Sequence, residues 1–526
     1  MNEKISFQDI DSIPQLIKDF LSGKREDCRN FNFSVQNIER VIFKKKDFFD
    51  SGKRQVLSEA LTNQYQGYSL SDGQKENLEK IALENTFTVT TGHQLNLFTG
   101  PVFFIYKIIQ TIKTCEYLKD KFPDCHFVPL FWMASEDHDF EEINHFQTDN
   151  AYYGTSEKSG NAVGKIVVED TRFVAQFNDD IKGYAYSEQL SEYLSAAYPK
   201  GETLAFAIRT LSQRLFAEHG LLVLDGDDSL LKSQMTTVFE DELTNHRLFT
   251  CSANTVERLR ENYGKVQVNP REINLFYLSD TRNRIERGAG GFEVVDKNQS
   301  FSTQELLQEL NTHPERFSPN ALMRPVYQET VLPNIAYIGG NAEVMYWLEL
   351  GDYFDYLGLP FPILIPRNSF AFVPEKLFSK VEKLGLSLTD FYNNYRDKLN
   401  LRLVEQHTIQ TLLFEKEQVV REAFEVIKAK ASFTEKTFVN LVEAESVRQL
   451  KSYAKMKKRL LKAERRKHYE AFERAERIAE ILSPNEKWQE RQYNFSVFFR
   501  DFGFDWLNEC YELINVEKPM MIVSSI

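Results

Sequence analysis

Between Gly385 and Pro484 the chain runs for nearly a hundred residues without a glycine or a proline. A stretch that lacks every helix breaker predicts long helices. Apolar residues Leu413, Val420, Phe424, Ile427 and Ala431 recur there at helical spacing, followed by Val447, Leu450, Ala454, Leu461, Ala471, Ala475, Ile478 and Leu482. The two series predict an antiparallel hairpin with coiled-coil character, its second arm restarting at the capping box Ser432-x-x-Glu435. Lys457, Glu464 and His468 fall on the second seam, while Tyr453 and Leu460 are expected outside it. An imperfect seam with apolar residues outside it is often completed by a second copy, so a homodimer through the coiled coil is expected. Lys455, Lys458, Lys462 and Arg466 form a basic stripe on the same arm, and the interleaved acids mark it as a solvated face.

Outside the hairpin the text is α/β. Residues 87–91 form a β-branched and aromatic run that breaks at Gly92, and residues 128–134 form an apolar run without alternation, as in a strand buried on both faces. Between them Pro101 suits a first helical turn, and Phe104, Ile105, Ile108, Ile112 and Cys115 mark one helix face. This is a βαβ unit, to which residues 220–225 add a third parallel strand. Residues 319–367 return to core text, with a turn at residues 338–341, a helix from about Ala342 and a strand at residues 362–365. The expected division is a core in two parts, residues 1–150 and 206–375, with a polar connective insertion at 151–205. The hairpin takes residues 376–485, and residues 486–526 return to the core. Residues 267–293 carry Arg282, Arg284 and Arg287 and end in Gly288-Ala-Gly-Gly291, which reads as a mobile loop within a loop insertion near 280–320.

A length of 526 residues exceeds one hydrophobic core, and 42% apolar with 27% charged residues is a globular balance. A net charge of −13 disfavours nucleic acid and anionic lipid as partners. Five scattered cysteines read as reduced thiols, and the first residues lack the pattern of a signal peptide, so a cytoplasmic location and no membrane partner are expected.

In an open parallel sheet, ligands bind beyond the carboxyl ends of the strands. The first strand ends in Thr90-Thr91-Gly92-His93-Gln94. The second runs into Ser135-Glu136-Asp137-His138-Asp139, with Asn144 and His145 beyond. The Gly100-Pro101 helix start would aim free N–H groups at the same edge, suited to phosphate or carboxylate, with Lys107 in its second turn. Either glycine alone is ordinary turn chemistry. Polar groups so dense at a core edge are costly unless solvated or used. His and carboxylate are suitable zinc or manganese ligands, but neither HExxH nor a paired CxxC is present and no metal is assigned. The other reading of the cluster is substrate binding and acid–base chemistry, with His138 tuned by its flanking carboxylates. A metal-dependent hydrolase and a non-catalytic nucleotide-binding coiled-coil protein are the alternatives to a biosynthetic enzyme.

The runs Thr90-Thr-Gly-His-Gln-Leu-Asn-Leu-Phe-Thr-Gly-Pro101, Phe131-Trp-Met-Ala-Ser-Glu-Asp-His-Asp-Phe140, Leu322-Met-Arg-Pro-Val-Tyr-Gln-Glu-Thr330 and Ile335-Ala-Tyr-Ile-Gly-Gly-Asn-Ala-Glu343, with Tyr346-Trp347, Pro366-Arg367 and Gln489-Glu-Arg491, carry a further signal. Together they resemble the bacillithiol biosynthesis cysteine-adding enzyme family, over essentially the whole chain. The resemblance implies a Rossmann-like core, a connective insertion and a coiled coil. It also implies a ligase that joins L-cysteine through an amide bond to the amine of glucosaminyl-malate. An amide does not form from a free carboxylate in water, so ATP is the expected activator, although no Walker-type motif is present. Asp137 and His138 become the catalytic candidates. Thr91, Gly92, His93, Gln94, Gly100, Lys107, Ser135, Glu136, Asp139 and Asn144 become candidates for holding substrate or phosphate. The matched blocks add Arg324, Tyr327, Gln328 and Arg367, arginine being suited to bidentate carboxylate or phosphate contacts. Two positions depart from the family pattern: His93, where many members carry glutamine, and Arg367-Asn-Ser-Phe370, where a Ser-x-Thr-like continuation is usual.

Overall fold

The computed structural model describes residues 1–157, 161–288, 290–405 and 408–526. Five strands form the central sheet: β1 (Thr86–His93), β2 (His126–Met133), β3 (Leu222–Asp225), β4 (Asn334–Gly339) and β5 (Ile363–Pro366). All of their pairings are parallel, in the order β5-β4-β1-β2-β3. The chain thus builds outward from β1 to β3 and then returns to the other side of β1. In β2, Val128, Leu130 and Trp132 enter one hydrophobic core and Phe131 and Met133 another. Both faces are covered, which is why the strand shows no polar alternation.

The crossover helix Phe103–Lys121 follows β1. It begins later than Pro101, which instead forms a bridge with Asn494, while the Val102 N–H donates to the Tyr493 carbonyl at 2.8 Å. Gly100 has φ +63°, and a Cβ there would lie 2.5 Å from Asn96 Cβ, so the turn requires glycine. The expected insertion after residue 150 carries two helices, Arg172–Asp180 and Ser187–Ala197, packed into the core beside the late helix Ser496–Leu513. A second, three-stranded sheet lies apart from the first. In it Met520–Ser525 pairs antiparallel with Asn2–Ser6 and parallel with Ser369–Val373.

Two expectations need correction. The stretch read as a mobile loop belongs to a five-stranded antiparallel sheet of Leu275–Leu278, Arg282–Gly288, Gly291–Val294, Gln299–Phe301 and Phe317–Pro319. Its glycines form the turn of a hairpin, Gly288 pairing with Gly291, and Ala289 lies outside the described residues. The charged text hid a strand because Arg284, Glu286 and Arg287 are exposed while Ile285, Phe292 and Val294 are buried. The second concerns the hairpin, whose arms are Thr408–Ala431 and Lys436–Lys467. The Ser432 hydroxyl donates to the Ala429 carbonyl at 2.6 Å, and Glu435, not Ser432, is the N-cap of the second arm. Val447 and Ala454 are exposed, whereas Tyr453 and Leu460 are half-buried. In this part of the second arm the covered row runs through Val442, Ser446, Leu450, Tyr453, Lys457 and Leu460, and Lys457 pairs there with Glu417. The basic stripe of Lys455, Lys458, Lys462 and Arg466 is exposed.

One buried carboxyl group gives a pH prediction. Glu349 accepts N–H bonds from Gln267 at 3.1 Å and Val268 at 3.3 Å, and burial pushes its pKa up from 4.5 to about 7 against those two bonds. Between those values the folded chain holds a proton that the unfolded chain has lost. The contribution is therefore fully present below the unfolded value and is lost as pH rises through about 7, a difference of about 3 kcal/mol. Glu349→Gln is expected to remove this slope and to melt above the wild type at pH values above about 8, as measured by thermal denaturation across the pH range.

Candidate functional site

The reversal of strand order sets β1 beside β4, and the switch point beyond their carboxyl ends is where an open parallel sheet binds ligands. Gly92 lies there: a Cβ on it would lie 3.2 Å from the Tyr337 hydroxyl and 3.5 Å from Arg324 Nη1. Lys107, buried on the crossover helix, donates to the Gly92 carbonyl and to both Glu343 carboxylate oxygens at 2.8 and 3.0 Å. Burial lowers its pKa although Glu343 opposes the shift. Glu343 also accepts the Tyr337 hydroxyl at 3.0 Å. Arg324 donates to Gln328 Oε1 at 2.8 Å, Tyr346 Oη at 3.2 Å and Tyr337 Oη at 3.4 Å, all neutral oxygens. Its positive charge is left without a direct carboxylate contact among the described residues. His93 lies between the rings of Phe103 and Phe104, with centroids at 5.2 and 5.1 Å, and its Nε2 is buried without a hydrogen bond. Burial, with Lys107 and Arg367 nearby, holds this imidazole neutral.

The end of β2 supplies a second group. Gln94 Nε2 donates to Asp137 Oδ2 at 2.9 Å and to Glu142 Oε2 at 3.2 Å, tying the ends of β1 and β2 together. Asp137 Oδ1 accepts the His138 backbone N–H at 2.8 Å and lies 3.6 Å from His138 Nδ1. Burial would raise the Asp137 pKa, but the bonds from His138 and Gln94 and the charge of Arg282 hold it below the usual carboxylate range. Arg282 comes from the antiparallel sheet and places Nη1 3.0 Å from His138 Nδ1.

A third group lies at the end of β3. Ser135 donates to Asp225, Asp227 pairs with Lys232 and Lys165, each at 2.6 Å, and Glu136 lies 2.7 Å from Lys232. Burial raises the pKa of Glu136 and of Asp225.

The remaining candidates are engaged elsewhere. Thr91 donates to the Ile338 carbonyl at 2.8 Å inside the sheet, and Tyr327 to the Gly226 carbonyl at 2.7 Å beside Trp132. Gln328 is buried between Arg324 and Glu329. The Gly100 N–H bonds to Leu97 and its carbonyl accepts from Asn494, so this helix start is closed by the C-terminal segment instead of opening to a ligand. Arg367 is paired with buried Glu490, with bonds of 2.7 and 2.6 Å, while its Nε is buried without a hydrogen bond. Asp139 caps the short helix Phe140–Ile143, and Asn144 bonds to His145, whose ring stacks on Tyr152. Among the described residues no group of three or more His, Cys, Asp or Glu side chains is arranged to hold a metal ion.

Sequence reasoning missed Glu343, Tyr337, Tyr346, Arg282, Asp227 and Lys232 as site residues. Glu343 and the two tyrosines lie inside blocks already singled out, and Arg282 was assigned to a loop. Only the structure shows that it reaches β2.

Comparison with known proteins gives a consistent result. Residues 2–368 match the model for the N-terminal Rossmann-like domain of bacillithiol biosynthesis BshC, and residues 370–526 match the model for its C-terminal coiled-coil domain. A protein of Flavobacterium johnsoniae is 39% identical over 503 residues, covering 95% of each chain. One of Flavobacterium psychrophilum is 37% identical over 510 residues, covering 96% of each. One of Cytophaga hutchinsonii is 36% identical over 500 residues, covering 94% of each. All three bear the name "Putative cysteine ligase BshC".

Proposed function

Because the chain belongs to the bacillithiol biosynthesis BshC family, we propose that it is the ligase that joins the carboxyl group of L-cysteine to the amine of glucosaminyl-malate, with ATP as the activator. ATP would supply the phosphoryl or adenylyl group that turns a carboxylate oxygen into a leaving group. The amine then attacks the acyl carbon, the C–N bond forms as the activated oxygen departs, and the amine loses a proton. The observation that carries this reading is the pair of cations, Arg324 and Lys107, held at the switch point between β1 and β4. The Gly92 backbone lies against the Tyr337 hydroxyl and Arg324, and among the described residues Arg324 holds a charge that no carboxylate contacts directly. Such a donor set suits a phosphate or a carboxylate. Lys107, fixed by Glu343, adds the second cation at the same edge. The Asp137–His138 pair at the adjacent strand end is suited to proton handling or to holding the reacting groups.

Mass spectrometry of the purified protein incubated with cysteine and glucosaminyl-malate, with and without ATP, tests the reading. Product that depends on ATP supports it. Product without ATP removes the activation step, and no product in either case overturns the ligase reading for the isolated chain.

No helix among the described residues is long and apolar enough to cross a membrane. On the hairpin, Leu412, Val419, Val426, Phe433 and Leu441 are exposed, Phe433 to 91%. This surface favours a homodimer through the coiled coil. Light scattering at micromolar concentration is expected to give twice the 61.4 kDa chain mass, and a monomer mass would remove the proposal.

A further inference from the structure

Arg282 reaches the site from the antiparallel sheet, 144 positions along the chain from His138. Its side chain is only 8% exposed, and the guanidinium is fixed on several sides. Nε donates to the Ser318 hydroxyl at 3.0 Å, Nη2 donates to the Pro319 carbonyl at 2.8 Å, and the Phe276 ring lies 4.0 Å from the guanidinium carbon. With those edges committed, Nη1 points at His138 Nδ1, 3.0 Å away.

A guanidinium has donors only and keeps its charge, so the imidazole nitrogen facing it must accept. We propose that Arg282 is a positioning residue that holds His138 as the neutral tautomer protonated on Nε2, so that the half-exposed ring carries an N–H donor on the nitrogen away from Arg282. A rival partner sits beside it. Asp137 Oδ1 is 3.6 Å from the same Nδ1 and would favour the opposite tautomer, with the proton on Nδ1. The observed hydrogen bond goes to Arg282, and the Asp137 carboxylate is occupied by the His138 backbone N–H, by Gln94 and by Arg282 Nη1 itself, 4.0 Å from Oδ1. The other contact of the imidazole from the antiparallel sheet is the Phe276 ring, at 5.6 Å between centroids, while Glu142 acts only through Gln94.

The inference deepens the ligase reading. In that reading, an Nε2–H donor suits an oxygen that is or becomes negative, such as a phosphate or the oxyanion of an acyl-transfer intermediate. The amine proton then leaves by another acceptor.

Nitrogen NMR of the resting protein labelled with 15N-histidine tests the tautomer directly, with His138→Gln identifying the signal. Nδ1 is expected at the unprotonated shift and Nε2 at the protonated shift. The opposite pattern overturns the proposal. Arg282→Met removes the donor and is expected to invert the pattern, because Asp137 is then the remaining partner of Nδ1. Arg282→Lys keeps a donor and is expected to retain the wild-type pattern. An Arg282→Met protein whose other histidine signals are unchanged and whose His138 tautomer is also unchanged would show that Arg282 is only structural. The measurement uses no substrate, so its outcome stands whatever the ligase assay returns.

Discussion

His138→Ala is expected to make the amide product at least about a hundredfold more slowly than the wild type, the loss typical of a removed oxyanion donor or acid–base group. The side chain is about half exposed and its polar neighbours keep partners without it: Asp137 retains Gln94, and Arg282 retains Ser318 and Pro319. Thermal stability should therefore change little. Steady-state kinetics by mass spectrometry beside a melting curve separate the two effects. If product formed at the wild-type rate, His138 would be a bystander at the end of β2, and the site would have to be sought around Lys107 and Arg324 alone.

Glu490→Ala is expected to act on stability in the way His138→Ala acts on rate. Glu490 is fully buried and binds Arg367 through both oxygens, while also accepting the Ser369 hydroxyl at 3.1 Å and the Phe370 N–H at 3.2 Å. Removing the carboxylate leaves a buried guanidinium without its counter-charge and a backbone N–H without its acceptor. Breaking one side of a buried pair typically costs about 3–5 kcal/mol. Replacing both members with apolar residues of similar volume, as in Arg367→Met with Glu490→Leu, is expected to recover most of that loss. Urea denaturation distinguishes these cases. An Arg367/Glu490 pair that mattered little would leave Glu490→Ala within about 0.5 kcal/mol of the wild type, as for an ordinary surface change.

The parts of the fold that could be read from the sequence are those where one physical requirement dominates. β2 and β3 showed themselves because a strand covered on both faces has no polar alternation. The hairpin did so because a chain without glycine or proline has few ways to stop being helical. The antiparallel sheet was missed because its outer face carries arginines and glutamates that mimic a loop, and its single buried row of Ile285, Phe292 and Val294 is spread over two short strands. The site divides in the same way. Asp137 and His138 stand out as candidates because a dense polar cluster directly follows an apolar strand. The link from Lys107 to Glu343 spans 236 positions and that from Arg367 to Glu490 spans 123, so no local pattern reports either. Such pairings also decide which arginine is free. Arg324 and Arg367 look equivalent in sequence, and only the buried Glu490 shows that one of them is already neutralised.

The strand Asn2–Ser6 pairs with Met520–Ser525, so during synthesis it must wait for a partner that lies far later in the chain. At about 5–20 residues per second, that wait is roughly half a minute to two minutes. During that time the early strand has no hydrogen-bonding neighbour, and the nascent parallel sheet can mature before the two strands meet. A product that stops short of residue 520 leaves this strand, and the edge of Ser369–Val373, unpaired. Translational truncation should therefore yield aggregating chains and not merely inactive ones.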